Sequence, residues 1–234
     1  MIDPRDAALR VTCPCEPVPL FGVLKEQAAG QRVLVASNGL FLEVRRSWLH
    51  SVTQLAELPQ APPLPYGMAV ESLRFEFGKI PVALIDAFVD EGRKALPNEV
   101  AGALVYNAST KSLRLVMHES IVAGPTKVRY RMPNLLQGEE LAIDLHTHGR
   151  LSAFWSDDDD ADDQGVKVCG VFGDLHQARP SAEFRLVING HYQPLSNPWK
   201  RAHEKAEPAV DLRASCPTLV SMGFDAMDDE WNTF

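Results

Sequence analysis

ELAIDLHTHGRLSAFWSDDDD, residues 140–160, is the stretch on which the reading of this chain turns. Its opening, ELAIDLHTH, reads as a β-strand. Side chains two apart on a strand point to the same face, so His146 and His148 can present both imidazoles to one metal ion. Asp159 adds a hard carboxylate from the start of the next element, where a helix dipole also favours an acid. Three protein ligands with one position open is the arrangement of a catalytic zinc ion rather than a structural one. Chemistry at such a centre needs a base for water and a donor for a developing oxyanion. Glu99, at the head of EVAGALVYN, is the candidate base, and Ser156, three residues before Asp159, is the candidate donor. Because residues 157–160 are all aspartate, Asp158 or Asp160 could stand in for Asp159 as the third ligand.

Outward from this stretch, VRYRM (128–132) precedes it as a further strand, and VKVCGVFG (166–173) and AEFRLVING (182–190) follow as two more. EVAGALVYN (99–107) and SLRLVMHES (112–120) read as strands joined by a turn at residues 107–111. PVALIDAFVDEGRKAL (81–96) places Leu84, Ile85, Phe88, Val89 and Leu96 on one side of a helix opened by Pro81. Helix, hairpin and strands in this order predict an α+β domain over residues 67–196. Ahead of it, QRVLVASNGLFLEV (31–44) predicts a hairpin turning at Asn38 and Gly39 inside a small β-rich unit, residues 1–66. That unit ends in LPQAPPLPYG (58–67), whose prolines exclude helix and favour an extended connector, and a strand is expected around Ser72 to Phe77. From residue 197 the pattern weakens to a short helix interrupted by Pro208 and an acidic tail carrying Phe224, Trp231 and Phe234, read as a terminus with docking aromatics.

Composition narrows the functional classes. The chain has 234 residues, 45% hydrophobic and 23% charged, which is the balance of a folded globular protein. A net charge of −8 argues against general nucleic-acid binding, which needs clustered Lys and Arg to neutralise phosphates. No apolar run approaches the roughly 20 residues that cross a bilayer. MIDPRDAALRV at the start lacks the basic and apolar segments of a secretory signal, so the cytoplasm is the expected location. Cys13 and Cys15 form a tight CPC triplet while Cys169 and Cys216 stand alone, so reduced structural thiols are expected.

The spacing HxHx7SxxD, met by His146, His148, Ser156 and Asp159, and the upstream Glu99 with Gly102 and Leu104, resemble the signature of the JAMM (MPN-type) isopeptidase family. AFWS before the acids is similar to the prokaryotic branch, and the resemblance spans about residues 75–190. It implies a cytidine-deaminase-like α/β sandwich and Zn²⁺ held by His146, His148 and Asp159. It also implies hydrolysis of an isopeptide or peptide bond at the C-terminus of a ubiquitin-like or sulfur-carrier-like protein. With its extra N-terminal unit, the chain looks most like the JAMM member of a bacterial cassette that also encodes a ThiF-like, activating-enzyme-like protein and an E2-like protein. Gly149 departs from the pattern, since many relatives have proline there, and the resemblance reads it as a more flexible loop.

Two functions compete with hydrolysis. A non-catalytic MPN-type scaffold would have a broken ligand set, whereas this set is complete. A zinc deaminase would need HxE with a downstream PCxxC, and neither is present. His50, His118, His176, His191 and His203 lack partners at metal spacing and are read as surface or packing residues. Cys169 is read as a buried small hydrophobe, Phe154 and Trp155 as loop packing, and Lys127, Arg129 and Arg131 as an ordinary polar face.

Overall fold

The computed structural model describes residues 2–58, 64–125, 128–131 and 134–199. Most of the proline-rich connector and nearly all of the C-terminal segment therefore lie outside the described residues, as do His203 and Cys216.

The first unit opens with a helix that the sequence reading did not anticipate, α1 (Pro4–Thr12). It has no buried residue and is only nine residues long; Asp3 caps it by accepting from the Arg5 N–H, and proline occupies its first turn. Strands β1 (Cys15–Pro17), β2 (Gly30–Ala36), β3 (Gly39–Arg45), β4 (Leu49–Glu57) and β5 (Ser72–Phe75) form one sheet in sequence order. The β2–β3 hairpin closes on the Ala36–Gly39 pair, so its turn residues are Ser37 and Asn38, one position earlier than expected. Gly39 is needed at the exit because a Cβ there would run into the carbonyl oxygen of Ala56. The strand expected around Ser72 is β5, and it pairs with β4, so the division between sheets falls after the proline-rich segment.

The second part is an α+β arrangement. Helix α2 (Val82–Ala95) precedes β6 (Ala101–Asn107) and β7 (Ser112–Met117). A ribbon, β8 (Glu119–Ala123) with β9 (Val128–Arg131), stands apart as its own two-stranded sheet. Then come β10 (Glu139–Thr147), α3 (Asp157–Asp162), β11 (Val166–Gly173), β12 (Ser181–Ile188) and β13 (His191–Leu195). The main sheet runs β13-β12-β11-β10-β6-β7. In this sheet, among the described residues, only β10 and β11 pair in parallel, so the crossover between them, residues 148–165, must pass over the sheet and carries α3 with it. SLRLVMHES is not one strand, because it breaks at His118, which is buried and stacks on Tyr130 of β9 with ring centroids 4.3 Å apart.

The core follows from the periodicities. Ile85, Phe88 and Val89 are buried on α2, with Leu84 and Leu96 partly so, against Leu104, Ile143, Leu145 and Phe172 of the sheet. Each fully buried side chain of this size contributes roughly 1.5–3 kcal/mol relative to exposure. The same cluster includes Val44, Trp48 and Leu49 of the first sheet. Trp48 stacks on Phe75 and Phe77, and Phe77 meets Tyr106 of β6, so aromatic packing joins the two sheets. On β10, Ile143, Leu145 and Thr147 turn toward this core, leaving Asp144 and His146 on the opposite face.

Candidate metal centre

Three elements bring the candidate ligands together. His146 lies at the end of β10, and His148 follows one residue past it, its N–H donating to Phe172 O at 2.7 Å. Thr147 between them is fully buried, and Gly92 of α2 allows the close approach there, since a Cβ at 92 would lie 3.1 Å from Thr147 Cγ2. Asp159 arrives on α3, whose N-terminus is closed by a capping box. The Asp159 N–H donates to Ser156 Oγ at 3.2 Å, and the Ser156 N–H donates back to Asp159 Oδ2 at 2.8 Å. The Ser156 hydroxyl also donates to Asp159 Oδ2, at 2.6 Å, so its single proton is spent on holding this carboxylate.

Ligand atoms of His146, His148 and Asp159 all lie within 4.8 Å of one another. His146 Nε2 is 3.3 Å from His148 Nε2 and 3.1 Å from Asp159 Oδ1, and His148 Nε2 is 3.7 Å from Asp159 Oδ2. Donors at the corners of a zinc tetrahedron with bonds near 2.0–2.1 Å stand about 3.3–3.4 Å apart, so this set, in which His146 and His148 approach different oxygens of Asp159, is close to the size a zinc ion requires. Two imidazoles and a carboxylate also leave the fourth position open. Of the acids that could have served as third ligand, Asp160 is turned to Arg185 at 2.6 Å, and Asp158 is exposed on α3.

Glu99 reaches the same place from the other side of β10. Val100 and Thr147 are bonded to each other, and Ala101 pairs in register with His146, which sets the residue before Val100 beside the histidine pair. Glu99 is 6% exposed.

Residues 81–189 match the family model described as prokaryotic homologs of the JAB domain, and residues 3–76 match a domain of unknown function, DUF2016. The chain carries a prokaryotic JAB-type domain. None of the curated proteins matches it. Among solved structures, the solution structure of protein DSY2949 from Desulfitobacterium hafniense aligns at 16% identity over 49% of this chain and 86% of that one. Its TM-score of 0.32 is too low to carry an argument.

Within the JAB domain the electrostatics follow from burial and charge. Burial raises the pKa of Glu99 to about 7; the positive charge available on His146 pulls it down and the Asp159 carboxylate pushes it up. Burial would also raise Asp159, but the hydrogen bond and charge of His146 and the two donors of Ser156 overcome it and hold this carboxyl well below the usual range. His148 is lowered by burial and by His146, against the pull of Asp159, so it is favoured as the neutral imidazole a metal requires.

Of the other side chains, some lie as expected and some do not. Phe154 and Trp155 pack on the histidines themselves, Phe154 with its ring 4.5 Å from His148 and Trp155 edge-on 6.2 Å from His146. Cys169 is buried but not among apolar groups alone, since its thiol donates to Asp163 Oδ1 at 3.1 Å. Gly149 has φ +55°, so the loop after the histidines uses a backbone conformation that proline cannot adopt. His50 pairs with Glu43 at 2.8 Å, and Arg131 with Glu119 at 3.6 Å, while the side chains of Lys127 and Arg129 lie outside the described residues. Arg185, buried between Trp155 and Tyr192, was missed. In AEFRLVING it reads as an ordinary outward residue of a strand, and Trp155, Asp160 and Asp163, which it holds, are more than twenty positions away.

Proposed function

We propose that this chain is a zinc-dependent hydrolase that cleaves an isopeptide or peptide bond at the C-terminus of a ubiquitin-like or sulfur-carrier-like protein. The reading is carried by one observation: His146, His148 and Asp159 converge at zinc-like spacing next to a buried carboxyl, Glu99. Zinc held by these three residues would supply Lewis acidity toward a water and toward the scissile carbonyl. Glu99 takes the proton from the water and returns it to the leaving amine, a role open to a buried carboxyl placed beside the ligands. Ser156 orients Asp159, and it serves a developing oxyanion only when its hydroxyl turns away from that carboxylate.

The likeness to the JAMM member of PRTRC-type cassettes supports a substrate assembled by a neighbouring ThiF-like or E2-like protein, in a cytoplasmic setting. The test combines zinc quantitation on gently purified protein with cleavage of a fusion built from a neighbouring ubiquitin-like gene product. Wild type is expected to hold one zinc and cleave, and Glu99→Gln to hold zinc without cleaving. A Glu99→Gln protein that cleaved at the wild-type rate would overturn the mechanism, and a wild type without stoichiometric zinc would favour the non-catalytic scaffold.

A further inference from the structure

Six acids occupy positions 157–163, and α3, which carries Asp159, is six residues long with no buried residue. Such a helix has no apolar face to fix it and a strong tendency to repel itself. Something else must hold it. Arg185 of β12 is placed to do so. Its side chain is 6% exposed, and its guanidinium centre lies 3.9 Å from the ring centroid of Trp155 and 4.2 Å from that of Tyr192. Nη1 donates to Asp160 Oδ1 at 2.6 Å, while Nε and Nη2 donate to Asp163 Oδ2 at 3.1 and 2.6 Å. Two further contacts converge on the same segment: the Tyr192 hydroxyl donates to Asp160 O at 3.0 Å, and Lys167 Nζ lies 3.0 Å from Asp163 Oδ1.

These contacts bracket the third ligand. Trp155 directly precedes Ser156, the cap residue that binds Asp159, and its ring lies 6.2 Å from that of His146 at a steep interplanar angle. Asp160 and Asp163 follow Asp159 on the other side. One arginine therefore grips the chain before and after the carboxylate and neutralises two of the acids that would otherwise push the helix open. A planar, always-charged fork is suited to stacking between two rings while serving two carboxylates, and a lysine ammonium is not.

We infer that Arg185 is the positioning residue of the metal centre: by clamping Trp155 on one side of Asp159 and Asp160 and Asp163 on the other, it fixes that carboxylate against His146 and His148. The inference rests on the reading of the triad as a metal centre. It assigns a use to acids in the run that do not touch the metal, and makes Trp155 of the AFWS phrase part of the support of the site.

The experiment uses the full chain and compares wild type with Arg185→Lys, Arg185→Met and Asp160→Asn. Zinc dissociation constants are measured by chelator competition, and the visible absorption bands of the Co²⁺-loaded proteins report ligand geometry. Melting of the metal-free proteins is followed alongside. Arg185→Lys, which keeps the charge but not the fork, is expected to bind zinc about 10–100-fold more weakly and to change the Co²⁺ bands, as is usual when support of a ligand is lost. Arg185→Met should lose at least as much, and Asp160→Asn, at a half-exposed position, should weaken binding in the same direction. A merely structural arginine would lower the melting temperature and leave the Co²⁺ bands alone. Folded variants that bind zinc within about twofold of wild type with unchanged bands overturn the clamp. If the Arg185 variants do not fold, Asp160→Asn decides by the same two readouts. A wild type that binds neither ion fails at the earlier step and removes the metal centre together with its clamp.

Discussion

Val100 and Thr147 exchange two hydrogen bonds: the Val100 N–H donates to Thr147 Oγ1 at 2.9 Å, and the Thr147 N–H donates to Val100 O at 3.0 Å. The pair joins the residue after Glu99 to the residue between His146 and His148, so base and ligands share one rigid connection. Thr147→Val keeps the shape and removes the acceptor, leaving the Val100 N–H without its partner. The expected cost is about 1–3 kcal/mol in denaturant unfolding, and a cleavage rate reduced more than zinc affinity. Thr147→Ser should recover most of the hydrogen bond. Equal stability of the valine variant and wild type would show that the pair does not hold the site.

Glu99 is expected to lower the stability of the metal-free protein above neutral pH. Its pKa is raised from 4.5 to about 7, so between these values the folded chain keeps a proton that the unfolded chain has released. Stability contributed by this proton is present at low pH and lost as pH rises through the folded pKa. Glu99→Gln carries no such charge. In urea unfolding with chelator present, the variant should exceed wild type at pH 8 by up to about 3 kcal/mol, and the gap should narrow to under about 1 kcal/mol near pH 5. A gap that is the same at both pH values contradicts the burial of an ionising Glu99.

How much of this could be read beforehand depends on the range of the interaction involved. His146 and His148 were legible because a two-residue spacing at a strand end fixes a shared face, and α2 was legible because Ile85, Phe88 and Val89 keep the helical period. Asp159 was not separable from its neighbours by spacing alone. What singles it out is the Ser156 cap on one side and the commitment of Asp160 and Asp163 to Arg185 on the other, and the second is a contact across the sheet. The break at His118 was hidden because SLRLVMHES is uniformly strand-like, while the stacking partner that ends β7 belongs to β9. Helix α1 is only nine residues long, too short for a sustained apolar period to stand out.

Gly149 was read as a source of looseness, and the structure gives it a narrower role. At φ +55° an L side chain is strained, and a Cβ there would sit 3.1 Å from Pro97 O, in the segment leading to Glu99. Gly149→Ala should cost about 1–2 kcal/mol in thermal or denaturant unfolding. Gly149→Pro should cost more, because proline holds φ near −65°. A proline variant as stable as wild type would mean that the loop has a second conformation of equal energy.

Ser156 separates two roles that its position alone leaves joined. As the cap of α3 and a donor to Asp159 it supports the third ligand, and as a free hydroxyl it would serve the oxyanion. Ser156→Ala removes both, and the readouts divide them. Loss of the cap should cost about 1 kcal/mol of stability. Loss of the bond to Asp159 should weaken zinc binding, because that bond holds the carboxylate in place beside His146. Ser156→Thr keeps the hydroxyl and should restore zinc affinity. If Ser156→Ala bound zinc as wild type does and lost only kcat, the hydroxyl would act at the oxyanion, and the hydrogen bond to Asp159 would have to yield during turnover. Weakened zinc binding with kcat preserved at saturating metal would instead leave the serine as the support of its aspartate.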